Sequence, residues 1–368
     1  MVLYRKYRPK TFSEIIGQEH IVKTLTNAIQ EGIFSHAYLF YGPRGSGKTT
    51  IARLLAKAIN CENRKGYEPC NKCSACQEIN EGRAIDLIEI DAASNRGIDE
   101  VRQIKEGAKF PPTRLKYKVF IIDEAHQLSK DAANALLKIL EEPPKHVVFI
   151  LATTEIQKMI PTIISRCQRF DFYRLRKDQI IKKLNYICQQ EKIRADDEAL
   201  DLIATNAEGA MRDAESLLEQ IITYAQTLKK DKIEKKDVQE LLGLVENETI
   251  IKFLDFLVNK KSKEAIEFLN QNIQKGIDPN NFLKTLIKIL RHILLLQIDN
   301  NLSNVFLDQL TQETKECLIK YAKKIPENDL RIMLKKFMEA EARIKYSPIP
   351  QLPFEIAILN LSHNVHEV

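Results

Sequence analysis

The sequence predicts an α/β domain built on a parallel sheet and followed by helices alone. Three observations carry that prediction. Short β-rich apolar runs alternate with helical patterns through the first half of the chain. A glycine-rich segment, "GPRGSGKT" at 42–49, lies between one such run and a helix, and the strand signal ends at about Asp178. Strands alternating with helices call for a parallel sheet covered on both faces, because each crossover carries the chain back over the sheet as a helix.

The strands and helices follow in order. "AYLFYG" is the first strand and "GKTTIARLLAKAI" the helix after it; "DLIEID" and "KVFIID" are two more strands, "AANALLKILEE" a helix, and "VVFILATT" a further strand. Beyond Asp178, "KDQIIKKLNYICQQE", "DDEALDLIATNA" and "MRDAESLLEQIITYAQ" read as three amphipathic helices, the size of a small lid domain. A break at "LGLVENE" (242–248) opens a third, wholly helical region. There "DPNNFLKTLIKILRHILLL" has an Asp or Asn to cap it, and Phe282, Leu286, Ile289 and Ile293 recur at helical spacing. The expected boundaries are a core at 1–177, a helical lid at 178–243 and a helical C-terminal domain at 244–368.

Composition sets outer limits. The chain has 368 residues, of which 44% are hydrophobic, enough for two or three domains with proper cores. The net charge of +6 is mild and both signs are interspersed, so charge alone does not indicate a nucleic-acid partner. The basic run "KKDKIEKK" (229–236) also holds Asp231 and Glu234 and reads as a solvated helix surface. The greasiest stretch, "LKTLIKILRHILLLQ", is interrupted by Lys288, Arg291 and His292, so no membrane span is expected. The opening "MVLYRKYRPKTF" has no apolar signal core, so a cytoplasmic protein with reduced thiols is expected.

"GPRGSGKT" fits G-x-x-x-x-G-K-[ST] in the strand-to-helix context that motif requires. Gly42, Gly45 and Gly47, with Pro43, Arg44 and Ser46 between them, let backbone N–H groups close around phosphate oxygens at a helix N-terminus that Thr50 continues. Lys48 is placed to reach the β and γ phosphates, and Thr49 to ligate Mg²⁺. "KVFIIDEAH" supplies the second half: a strand ending in Asp123, suited to the Mg²⁺ shell, then Glu124, suited to orienting or deprotonating an attacking water. The two halves together predict hydrolysis of a nucleoside triphosphate.

Four of the seven cysteines fall between 61 and 76, spaced Cys61-x8-Cys70-x2-Cys73-x2-Cys76. Four soft ligands match a closed tetrahedral Zn²⁺ site, and no histidine nearby suggests an open catalytic one. A redox pair and an iron–sulfur cluster are the other readings. Cys167, Cys188 and Cys317 are isolated and read as small buried hydrophobes.

"RPKTFSEIIGQEH" before the glycine-rich loop, "LLKILEEPP", "LATT", "SRC" at 165–167 and "GAMRDAESL" at 209–217 occur in the order found in clamp-loader ATPases of the AAA+ class. Within that class the chain resembles the bacterial DNA polymerase III gamma/tau family, whose zinc module interrupts the core where this cysteine cluster lies. The resemblance implies an AAA+ core, a lid and a helical oligomerisation collar, the chain corresponding either to a short gamma-like form or to a truncated piece of a longer member. It implies that Arg166 is an arginine finger for a neighbouring subunit; the residues alone favour an ordinary surface or helix-capping arginine. It implies that Arg212 senses the γ-phosphate, where the residues alone allow an exposed arginine paired with Asp213 or Glu215. Thr154, in preference to Thr153, takes the position that orients water; Tyr7, Arg8 and Pro9, with Ile15 and Ile16 behind, take the adenine.

The implied cofactors are ATP, Mg²⁺ and Zn²⁺. The implied partners are sister subunits of delta and delta-prime type, further gamma/tau copies, a sliding clamp and primer–template DNA, with Arg96, Arg102 and Lys138 as candidate phosphate contacts. The function that follows is ATP-driven loading of a clamp onto primed DNA within the polymerase III holoenzyme, with no polymerase carboxylate constellation in this chain. A helicase or branch-migration motor and a non-hydrolysing replisome scaffold are the competing readings.

Overall fold

A computed structural model describes residues 2–95, 97–228, 230–298 and 312–362. The chain forms two compact units, Met1–Glu234 and Lys235–Val368.

The first unit opens with helices α1 (Leu3–Lys6) and α2 (Glu19–Glu31). An α/β segment follows: β1 (Ala37–Tyr41), α3 (Lys48–Asn60), α4 (Ser74–Glu81), β2 (Leu87–Asp91), α5 (Ile98–Lys109), β3 (Lys118–Asp123), α6 (Lys130–Glu141), β4 (Val147–Thr153), α7 (Pro161–Ile164) and β5 (Gln168–Asp171). All neighbouring strands are parallel, in the order β2-β3-β4-β1-β5. The central strands are near-continuous apolar runs because both faces are covered; β4, "VVFILAT", is buried at every position. The edge strands β2 and β5 are more polar and more exposed.

Alternation along the strands separates two cores. Tyr38, Phe40, Ile121 and Ile150 face α2 and α3, meeting Ile21, Leu25, Ile51 and Leu55. Leu39, Phe120, Phe149 and Leu151 face α5 and α6, meeting Val101, Ile104, Leu136 and Leu140. On that second face the rings of Phe120 and Phe149 stack with centroids 5.2 Å apart. Because the strands are parallel and in register, with Tyr41 opposite Thr153 and Asp91 opposite Asp123, their C-terminal ends converge on one edge of the sheet. Ligands of open parallel sheets bind at that edge.

Helices α8 (Lys177–Gln190), α9 (Asp197–Asn206) and α10 (Met211–Thr227) complete the unit as the three expected amphipathic helices. The structure adds two-residue strands, β6 (Arg194–Ala195) and β7 (Lys232–Ile233), paired in parallel. A strand this short has no periodicity to read.

The second unit is helical throughout its described residues: α11 (Lys235–Leu242), α12 (Asn247–Val258), α13 (Ser262–Gln274), α14 (Pro279–Ile298), α15 (Gln312–Lys324), α16 (Glu327–Ile344) and α17 (Leu352–Ser362). Asp278 caps α14, its carboxylate accepting from Asn281 N at 3.2 Å. The stripe Phe282, Leu286, Ile289 and Ile293 is buried. Phe354 is the hub of this core, with the rings of Phe253, Phe282 and Phe337 at centroid distances of 5.6, 5.7 and 5.6 Å. Among the described residues no helix is long and apolar enough to cross a membrane.

Candidate nucleotide site and cysteine module

The loop between β1 and α3 wraps the start of α3. Gly47 occupies the N-cap of α3 with φ +98°, a backbone state that side chains disfavour. Gly45, at φ +75°, passes so close to the lid that an added Cβ would lie 2.7 Å from Ala210 Cβ. Met211 N then donates to Gly45 O at 3.3 Å, so the start of α10 rests on the loop. Gln18, 1% exposed, donates through its amide to Ser46 O and Tyr173 O and fastens the loop from the other side.

One cavity brings together Arg44, Gly45, Ser46, Gly47, Lys48, Thr49 and Thr50 with Asp123, Glu124 and Arg212. Gly42 and Pro43 contribute their carbonyl oxygens, which accept from Lys48 Nζ at 2.8 and 2.9 Å. Burial pushes the Lys48 ammonium below the usual lysine range, while Glu124 and Asp123 oppose that shift. Thr49 Oγ1 donates to Asp123 Oδ2 at 2.8 Å. Glu124 sits in the left-handed region at φ +48°, a sparsely populated state for a residue with a side chain. Its Oε2 accepts from Thr154 Oγ1 at 3.1 Å. Thr153 is fully buried, and its hydroxyl is taken by His126 Nδ1 and Glu155 N.

The same cavity is also lined by Tyr4, Arg8, Pro9, Ile15 and Ile16. Tyr7 requires a correction: its hydroxyl donates to Glu191 Oε1 at 2.5 Å and its ring meets Tyr186, away from the cavity. Tyr4, one turn earlier on α1, lines the cavity in its stead, with the Arg212 guanidinium 4.7 Å above its ring. Arg212 is thus stacked on an aromatic face, with neither Asp213 nor Glu215 as an ion-pair partner. Arg166 lies outside the cavity, where Nη2 pairs with Glu141 Oε1 at 2.5 Å and Nη1 donates to Thr162 O at 2.8 Å. Arg102 and Lys138 are exposed on α5 and α6, helices on the same face of the sheet. Arg96 lies outside the described residues.

The four clustered cysteines are brought together: their sulfurs all lie within 4.8 Å of one another. Cys61 to Cys73 and Cys70 to Cys76 are each 4.0 Å apart, near the edge of about 3.8 Å that Zn–S bonds of about 2.3 Å give a tetrahedron. Cys70 N donates to Cys61 Sγ, and Lys72 N and Cys73 N donate to Cys70 Sγ, so backbone N–H groups already point at sulfur. The N–H groups of Lys72 and Cys73 pull the Cys70 thiol down to about 6, while burial pushes the Cys61 and Cys76 thiols up. A tetrahedral thiolate-binding metal fits this donor set. Cys76 is carried on α4, whose Ile79 packs with Leu115 beneath the cysteines.

Sequence reasoning missed the module's attachment. Lys57, 2% exposed, donates through Nζ to Lys10 O, Asn71 Oδ1 and Asn80 Oδ1 at 2.8, 2.7 and 2.8 Å. Glu68, in the excursion between the first two cysteines, accepts from Phe12 N and Ser13 N, both at 2.8 Å. No motif announces such contacts. Gln18 stands in the quoted "GQEH" and His126 in "DEAH", so these two could have been singled out.

Comparison with known proteins names the family. Three family models match in sequence order: "DNA polymerase III, delta subunit" over 17–176, "DNA polymerase III clamp loader subunit, ATPase lid domain" over 179–227, and "DNA polymerase III subunits gamma and tau domain III" over 233–367. DNA polymerase III subunit gamma of Buchnera aphidicola from Schizaphis graminum is 38% identical, with 97% of each chain covered. This chain belongs to the DNA polymerase III gamma/tau family. Another member, subunit tau of Bacillus subtilis, is 43% identical over 99% of this chain, and subunit tau of Escherichia coli is 37% identical over 97%. The chain spans 64% and 54% of the lengths of those two gamma/tau relatives. The Thermotoga maritima RuvB branch migration motor matches 68% of this gamma/tau chain and 79% of its own at a TM-score of 0.50 and 22% identity, a likeness of AAA+ fold.

Proposed function

We propose that this chain is an ATP-hydrolysing motor subunit of a clamp loader, acting with sister subunits of delta and delta-prime type and further copies of itself to close a sliding clamp on primed DNA. The observation that carries the reading is the single cavity holding the phosphate-binding loop, Asp123, Glu124 and Arg212. In this reading the loop N–H groups and Lys48 hold the β and γ phosphates, with Lys48 exchanging the Gly42 and Pro43 carbonyls for phosphate oxygens. Thr49 and Asp123 hold Mg²⁺, which neutralises charge on the transferring phosphoryl group. Glu124 takes a proton from the attacking water, and the Thr154 hydroxyl on its Oε2 fixes the carboxylate and the water together. Arg212, anchored on the lid helix α10, reaches the γ-phosphate and links its presence to the lid.

Arg166 serves the neighbouring subunit's site, which agrees with its distance from the chain's own cavity. The cysteine module holds one structural Zn²⁺ through Cys61, Cys70, Cys73 and Cys76. The exposed Arg102 and Lys138 contact DNA phosphates, which makes binding salt-dependent and largely indifferent to sequence. The domain assignment that goes with this is a core at 1–177, a lid at 178–243 and an oligomerising collar at 244–368.

The test is phosphate release from ATP by the assembled complex with clamp and primed DNA. Lys48→Ala weakens ATP binding, whereas Glu124→Gln binds ATP and turns over about 10² to 10⁴ times more slowly, the usual contribution of a general base. Two variants that hydrolyse like the parent would put the site elsewhere.

A further inference from the structure

Glu215 has no part in that mechanism, and its position calls for one. It is 5% exposed on α10, lines the same cavity as Lys48 and Thr49, and its carboxylate accepts no hydrogen bond among the described residues. A buried carboxylate without donors is costly unless a ligand supplies them.

The two anchors of α10 locate it. At the start of the helix, Met211 N bonds to the phosphate loop through Gly45 O; two turns later, Glu219 Oε2 accepts from Leu3 N at 3.1 Å. Glu215 lies midway between them, about 6 Å along the helix axis from the loop contact at 1.5 Å per residue. It therefore belongs to the end of the cavity away from the phosphates. Pro9, Ile15, Ile16 and Leu175 line the cavity as well and offer apolar surface to a flat ring. Of the charged groups lining the cavity, Lys183 and Arg8 act on Glu215 electrostatically, and among the described residues no ion pair joins it to any of them.

We propose that Glu215 reads position 6 of the purine: its carboxylate accepts a hydrogen bond from the exocyclic amino group of adenine and so selects 6-amino over 6-oxo purines. The inference rests on the nucleotide reading of this cavity. A 6-oxo purine turns a carbonyl acceptor toward the ionised carboxylate in place of the amino donor, so that bond is lost. Sites built around a buried hydrogen-bonding group reject partners that cannot complete the bond far better than apolar pockets reject a change of size.

Equilibrium binding of ATP and ITP to the full chain with Mg²⁺ above about pH 8, where Glu215 is ionised, tests this, because the two differ only along the N1–C6 edge: a 6-amino group beside a bare N1 in ATP, a 6-oxo group beside N1–H in ITP. The parent protein is expected to prefer ATP by about tenfold or more. Glu215→Leu, which places an apolar side chain in a buried position and should fold, is expected to bind both within about threefold, as an apolar pocket that cannot read position 6 would. Glu215→Gln keeps the volume and presents either an oxygen or an amino group, so it too loses the preference. A Glu215→Leu protein that keeps the parent's ratio overturns the proposal, as does a parent protein that binds ATP and ITP equally. A parent protein that binds neither removes the nucleotide reading itself.

Discussion

Thr49 Oγ1 donates to Asp123 Oδ2 at 2.8 Å, joining the first turn of α3 to the last residue of β3 across 74 positions of sequence. In the proposed site the bond sets the two oxygens that would hold Mg²⁺ side by side. Asp123→Asn should therefore raise the Mg²⁺ concentration needed for half-maximal ATP turnover by about 10- to 100-fold, the usual cost of disturbing a metal's supporting ligands. A Mg²⁺ titration of turnover checks it, and an unshifted midpoint counts against Asp123 as part of the metal shell.

The cysteine module should hold one Zn²⁺ per chain, lost when Cys70 and Cys73 are both changed to Ser; metal analysis of protein purified without chelator reads the result. Zinc in small finger peptides contributes roughly 10 to 16 kcal/mol at neutral pH, so the thermal midpoint should drop when a chelator is added. Lys57→Ala tests the attachment of the module separately. It leaves Lys10 O, Asn71 Oδ1 and Asn80 Oδ1 without their shared donor and should destabilise the protein by about 3 kcal/mol, while zinc content stays at one per chain.

Arg166 can be tested by mixing. Arg166→Ala chains and Lys48→Ala chains should each be inactive, yet a mixture contains interfaces pairing an intact Arg166 with an intact Lys48, and turnover should reappear there. Arginine fingers supplied by a partner are worth about 10³ to 10⁵ in rate in well-studied GTPases, so a small fraction of restored sites is measurable. Full DNA-stimulated turnover by Arg166→Ala alone would assign Arg166 to its bonds with Glu141 and Thr162 instead.

Glu215 makes stability depend on pH in a defined direction. Burial pushes its carboxyl from the ordinary 4.5 up to about 7, against the opposing pull of Lys183 and Arg8. Between those values the folded chain keeps a proton that the unfolded chain has released, so stability falls as pH rises through the window and levels off above it. Glu215→Leu removes the dependence. Its advantage over the parent, measured by urea unfolding without nucleotide, should grow from small near pH 4.5 to on the order of 3 kcal/mol above pH 7. A constant difference across that range would show that Glu215 is ionised normally in the folded chain.

By itself the sequence determined the alternating strands and helices, the phosphate loop at 42–49, the Asp123–Glu124 strand end, the four-cysteine spacing and the apolar stripe of α14. Each is a local pattern whose physics acts within a few residues: periodicity of burial, glycine where the backbone turns left-handed, ligands at fixed intervals. Tertiary structure alone decided that Tyr4 and not Tyr7 lines the cavity, that Arg212 stacks on Tyr4, that the Thr153 hydroxyl is taken by His126, and that Lys57 and Glu68 tie the cysteine module to residues 10–13. Those choices depend on which faces of distant elements meet. A one-residue rotation of α1, or a single step along the alternating β4 strand, reverses them without altering any pattern in the sequence.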